Sequence, residues 1–236
     1  MSLEKEFASR FFGYGNLDAP LWFIGKEEGG WETAREMQQR LRAWKNMGQK
    51  EVVCSLQFHR KAGIHKYHSA KKIEEIERQK TWCCLIRIIL FAKGELCTKH
   101  AILDYQSKKL GEKTGESCLL DLRLPKLLEQ KLKGDLTKIV EGRARWIREQ
   151  IKLRRPRAVV FYSMHKKFMK YWSEISGVST DDFTVKSPQY RIARKNGTSF
   201  IMMQHPAQGV SHELLYEIGR LIKGKLNWKE GPRLRP

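Results

Sequence analysis

Short runs that are apolar on successive positions alternate along the chain with stretches that are apolar every third or fourth residue. The first kind reads as strands buried on both faces, the second as helices with one buried stripe. Leu21-Trp-Phe-Ile-Gly25, Ser117-Cys-Leu-Leu-Asp-Leu122, Arg157-Ala-Val-Val-Phe-Tyr162 and Thr198-Ser-Phe-Ile-Met-Met203 are the four core strands on this reading. Helical spacing predicts a short helix over 3–12 and another through Ala34, Met37, Leu41 and Trp44, stopped by Gly48. A long helical region is expected over 71–93, with Leu85, Ile86, Ile89 and Leu90 buried, Thr81 capping its second half and Gly94 closing it. Further helices are predicted over 141–154 before Pro156, over 165–176 before Gly177, and through Leu214, Leu215, Ile218, Leu221 and Ile222. Val52-Val-Cys54 reads as an edge strand. Residues 58–68 read as a basic loop dotted with histidines, and 99–116 as an exposed, lysine-rich excursion.

Strands that alternate with helices predict an α/β fold, a three-layer αβα sandwich around a central, mostly parallel four-stranded sheet. The chain has 236 residues, enough for one large core. Residues 1–222 read as a single domain and 223–236 as a frayed basic tail. Lys plus Arg number 46 against 26 Asp plus Glu, a net charge of +20. An excess of this size implies a polyanionic partner, nucleic acid ahead of an anionic membrane or an acidic protein. The five cysteines, with no C-x-x-C, suggest free thiols in a reducing compartment, and no zinc or iron–sulfur spacing is present. No signal-peptide pattern opens the chain, and the run from Leu85 to Ala92, broken by Arg87, is too short for a bilayer. The expectation is a cytoplasmic, nucleoid-associated monomer.

In open α/β sheets ligands gather beyond the carboxyl ends of the strands. The four strands end on Glu27 and Glu28, on Asp121, on Ser163 with His165, and on His205. A carboxylate and an imidazole on separate loops can flank a reacting bond, one handling water and the other the leaving group. Pro206 stiffens the turn that aims His205. Gly25 reads as a place where backbone approaches a ligand closely.

Gly15-Asn-Leu-Asp-Ala-Pro-Leu-Trp-Phe-Ile-Gly-Lys-Glu-Glu-Gly-Gly30 resembles the first motif of the uracil-DNA glycosylase superfamily, and His205-Pro-Ala-Gln-Gly-Val-Ser211 is similar to its second. The resemblance spans roughly residues 12–222. It implies a protein that flips a nucleotide out of DNA, single-stranded or damaged duplex, and hydrolyses its glycosidic bond without metal or cofactor. By motif position Glu27 matches the carboxylate that positions water, with Glu28 as the fallback. His205 matches the residue that stabilises the departing base. Val210 falls near the apolar wedge, and Ser211 would meet a backbone phosphate at a helix amino end. Trp31 and Phe58 are the candidates for stacking on the base. Arg60, Lys61, Lys66, His165, Lys166 and Lys167 are candidate DNA contacts. Lys26 departs from the first motif. Asp121 stands where many members carry an Asn that reads uracil, and an ionised Asp accepts hydrogen bonds but donates none. Either Asp121 is protonated, or it does not read the base, or the base is not uracil.

Two other readings compete with a glycosylase. A non-catalytic member could keep the fold and bind nucleic acid by charge. A metal-dependent nuclease or phosphohydrolase could gather Glu27, Glu28 and Asp121 around Mg²⁺, although no Asp-x-Asp or Glu-x-Lys arrangement supports it.

Overall fold

The computed structural model describes residues 1–27, 33–68 and 73–226, the side chains of Glu27 and Ala207 excepted. In chain order the elements begin with α1 (Leu3–Arg10), β1 (Gly13–Gly15), β2 (Leu21–Glu27), α2 (Ala34–Asn46), β3 (Val52–Val53) and α3 (Ser55–Lys61). There follow α4 (Lys80–Lys93), α5 (Lys99–Lys108), β4 (Ser117–Arg123), α6 (Lys126–Lys131), α7 (Leu136–Arg154) and β5 (Ala158–Tyr162). The chain continues with α8 (Lys166–Ser176), β6 (Thr184–Ser187), β7 (Tyr190–Lys195), β8 (Thr198–Met203) and α9 (His212–Lys223).

The fold is α/β, but the sheet among the described residues is mixed and has eight strands, in the order β3-β1-β4-β2-β5-β8-β7-β6. This corrects the expected four-stranded, mostly parallel sheet. Its middle, β4-β2-β5-β8, consists of the four strands predicted from the sequence, all parallel. Antiparallel pairing enters where β1 joins β4 and where β7 joins β8. Of the added strands, β3 answers to the edge strand expected at Val52-Val-Cys54, and the others escaped the pattern for physical reasons. β1 is Gly-Tyr-Gly, too short to show alternation; β6 is a four-residue edge strand with no buried side chain, and β7, between β6 and β8, is half lysine and arginine.

Leu21, Trp22, Phe23 and Ile24 of β2 are fully buried, because β4 and β5 pair on either side and helices cover both faces. Leu21 and Phe23 belong to the core formed with α1, α2, α4, α5 and α9. Trp22 and Ile24 belong to the opposite core, closed by α7 and α8. Helix ends are set by local chemistry. At α2, Thr33 and Glu36 form a reciprocal capping box, and Met37, Leu41 and Trp44 are buried. Gly94 and Gly177 end α4 and α8 in left-handed conformations, φ 74° and 65°.

Several local expectations need correction. The helix expected over 71–93 starts at Lys80, preceded by a single 3-10 turn at Ile73–Glu75, and Gln79 rather than Thr81 caps it by accepting from the Trp82 amide. Part of the expected loop over 58–68 is the end of helix α3, with Phe58 and His59 buried. The excursion over 99–116 opens with α5, whose Ile102, Leu103, Tyr105 and Gln106 are buried. At the carboxyl end the chain stays docked past Lys223, with Leu226 in the core; residues 227–236 lie outside the described residues.

Candidate functional site

Strand register places four residues side by side at the carboxyl edge of the central sheet. Asp121 pairs with Gly25, Gly25 with Tyr162, and Tyr162 with Met203. Residues paired this way point to the same face of a pleated sheet. Leu120, Ile24, Phe161 and Met202, one position earlier, lie in the opposite core. Asp121 is half-buried, whereas Tyr162 is nearly covered.

Glu27 is the last residue of β2, two beyond Gly25. His205 is two beyond Met203 and sits between β8 and a 3-10 turn over Pro206–Gln208 that is closed by the Gln208 amide donating to the His205 carbonyl at 2.8 Å. Two strand spacings, about 10 Å, separate the two strand ends. The half-buried His205 ring lies 5.8 Å from the Tyr162 ring, tilted by 60°. The front and the back of the chain therefore meet at one edge, with Tyr162 between them. Glu28 and Trp31 lie outside the described residues.

Tyr162 went unnoticed in the sequence because it ends an apolar run and reads as core. Its ring occupies the space over Gly25. A Cβ on Gly25 would come within 2.3 Å of the phenol oxygen and 2.4 Å of the ring carbon that bears it. The room that the sequence assigns to a ligand is thus taken by a tyrosine from the neighbouring strand. A second unforeseen residue is Arg143 of α7, buried at 2% exposure. Its guanidinium donates to the carbonyls of Asp121 (2.6 Å), Leu122 (3.1 Å), Ala8 (3.0 Å) and Phe11, and stacks on Phe12. Together with the Asp121 amide donating to the Phe12 carbonyl at 2.9 Å, this fixes the end of β4 to the segment after α1. Its signal was an arginine one position from the buried stripe of a helix.

The remaining candidates are scattered. Phe58 is fully buried and stacks on Phe11 with centroids 5.4 Å apart, so its faces are covered by the core. Arg60 and Lys61 are exposed at the end of α3, which follows β3, three places along the sheet from β2. Lys66 pairs with Glu77 at 3.1 Å. His165 is exposed and caps α8, its Nδ1 accepting from the Lys167 amide, with Lys166 and Lys167 exposed beside it. Val210 packs partly buried against the core, and Ser211 caps α9 by accepting from the Leu214 amide at 3.2 Å.

The histidines of the 58–68 stretch form a structural knot away from this edge. His59 Nδ1 lies 2.9 Å from the Ser55 carbonyl, and His68 Nδ1 lies 3.1 Å from the Gln106 carbonyl. Carbonyls only accept, so both Nδ1 atoms carry hydrogen. His68 Nε2 is then the acceptor, 3.1 Å from His59 Nδ1 and 3.3 Å from Ser55 Oγ. Burial lowers the pKa of both rings, that of His68 to about 4. The pair is neutral and ties α3 to α5.

All five thiols are unpaired, and Cys54, Cys83, Cys84 and Cys118 are buried. Among the described residues no group of three or more His, Cys, Asp or Glu is placed to hold a metal ion, and no helix is long and apolar enough to cross a membrane. No family model matches the sequence, and no curated protein matches it.

Proposed function

We propose that this protein is a DNA glycosylase of the uracil-DNA glycosylase type, acting on a deaminated base. The observation that carries the reading is the meeting of the β2 and β8 ends at one sheet edge, with the His205 ring against Tyr162 and Asp121 on the same face. In this reading Glu27 positions a water for attack on the sugar C1′ and offsets the positive charge that develops there. The glycosidic bond breaks, its electron pair leaves with the base, and an N–H of His205 stabilises the negative charge on the base oxygen. The water's proton ends on the departing base. Asp121, an acceptor, takes the ring N–H that uracil, hypoxanthine and xanthine all carry, since deamination leaves no exocyclic amino group for it to meet. The net charge of +20 supplies the attraction for DNA.

The second reading, a nucleic-acid binder without catalysis, draws support from the filling of the space over Gly25 by Tyr162. One experiment separates the two. Duplexes carrying uracil, hypoxanthine or xanthine are incubated with protein, then treated with alkali, with and without EDTA. Alkali-dependent strand breaks that survive EDTA, and disappear in His205→Ala and Glu27→Gln with DNA affinity kept, are the expected result. Intact but retarded DNA supports the binder. EDTA-sensitive breaks, or full turnover in both variants, overturn the site assignment.

A further inference from the structure

Helix α9 carries a feature that base excision leaves unused. His212, Tyr216 and Arg220 recur every fourth residue, which sets them in one row, and all three are exposed. Tyr216 is 47% exposed, unusually open for a large ring. The row is braced by Phe91 of α4, which meets His212 edge to face at 5.1 Å and Tyr216 at 5.2 Å. The Arg220 guanidinium lies 5.9 Å from the Tyr216 ring centre. Gly219 allows the brace, because a Cβ there would come within 2.4 Å of the Phe91 Cβ. Of the two carboxylates beside the row, Glu213 engages Ser211 at the cap and also faces His212, and Glu217 engages Tyr190.

We infer that this row is a track for single-stranded nucleic acid, with a base stacked on Tyr216 and phosphates held by Arg220 and Lys223. A rigid, half-exposed ring flanked by a cation is what sequence-tolerant base stacking uses, and bases inside a duplex have no free face to offer it. The charge of +20 favours a polyanion over a peptide. The helix that carries the row is capped by Ser211, six residues past His205 in the chain. The inference rests on the nucleic-acid partner proposed above but not on bond cleavage.

The test is fluorescence anisotropy with labelled oligothymidine and with a labelled hairpin duplex. Tyr216→Ala is expected to weaken oligothymidine binding by about tenfold or more, while Tyr216→Trp and Tyr216→Phe keep it. Duplex affinity is expected to change much less. Thermal melts of the variants, expected to match the parent because Tyr216 is half exposed, exclude unfolding as the cause. Unchanged oligothymidine affinity in Tyr216→Ala overturns the track, as does equal loss in Tyr216→Phe. Absence of any oligothymidine binding by the parent also overturns it, and points to a protein partner for the row. Tyr216-dependent binding without base release from any duplex supports the track and overturns the glycosylase reading. Base release with Tyr216-independent binding does the reverse.

Discussion

Acid should loosen this fold through the buried His59–His68 pair, and His68 gives the magnitude. In the folded chain His68 takes up a proton only near pH 4, because burial opposes its charge, whereas in the unfolded chain it does so near 6.5. Below about pH 6.5 the unfolded state therefore binds the extra proton, and stability falls by about 1.4 kcal/mol per pH unit until the folded histidine titrates as well. The gap between 6.5 and about 4 is worth about 3 kcal/mol, a large share of the 5–15 kcal/mol, roughly, that holds a typical domain together. The geometry gives the same sign. A proton on His68 Nε2 would set two N–H groups against each other across 3.1 Å, between His68 and His59. The assay is urea unfolding by tryptophan fluorescence from about pH 7 to about pH 4, for the parent and for His68→Gln. The variant should be less stable near neutrality, since it loses the bridge to Gln106, yet decline less on acidification. Carboxylates titrate alike in both chains, so the difference reports His68 together with the part of the lowering at His59 that His68 causes. Parallel curves for the two proteins would refute this reasoning.

Two further perturbations probe the candidate site. Arg143→Met strands the buried carbonyls of Ala8, Phe11, Asp121 and Leu122 and should lower stability by about 3 kcal/mol or more; denaturant melts read the loss, and hydrogen exchange should speed up at the end of α1. Gly25→Ala should destabilise by about 1–3 kcal/mol through its clash with the Tyr162 ring, and Tyr162→Leu in the same chain should recover part of that. Strict additivity in this double-mutant cycle would show that the ring is not what excludes the methyl.

The central strands were legible because burial on both faces leaves an unbroken apolar run, as in Val159-Val-Phe161. Helix α9 was legible through its strongly one-sided pattern. What escaped has a common cause: the decisive partner is distant in sequence. Gln106 looks like surface on a lysine-rich helix, yet its side-chain amide donates to the Tyr67 and Glu77 carbonyls and its backbone carbonyl accepts from His68. Phe58 beside three basic side chains looks like a loop aromatic, yet it stacks on Phe11. At the candidate site the sequence pointed to the strand ends but not to their order across the sheet. That order made Tyr162, rather than Ser163 or His165, the neighbour of His205.

The margins of the sheet bear on how copies of this chain can meet. One margin is the two-residue β3. The other is β6, four residues long, with an irregular register between Val185 and Ser187 and Lys186 between them. Neither offers a long, flat ribbon of open amides and carbonyls to a passing strand. Among the described residues the sheet thus lacks the simplest route to edge-to-edge stacking into fibres, which leaves side-chain faces as the surfaces through which copies can meet.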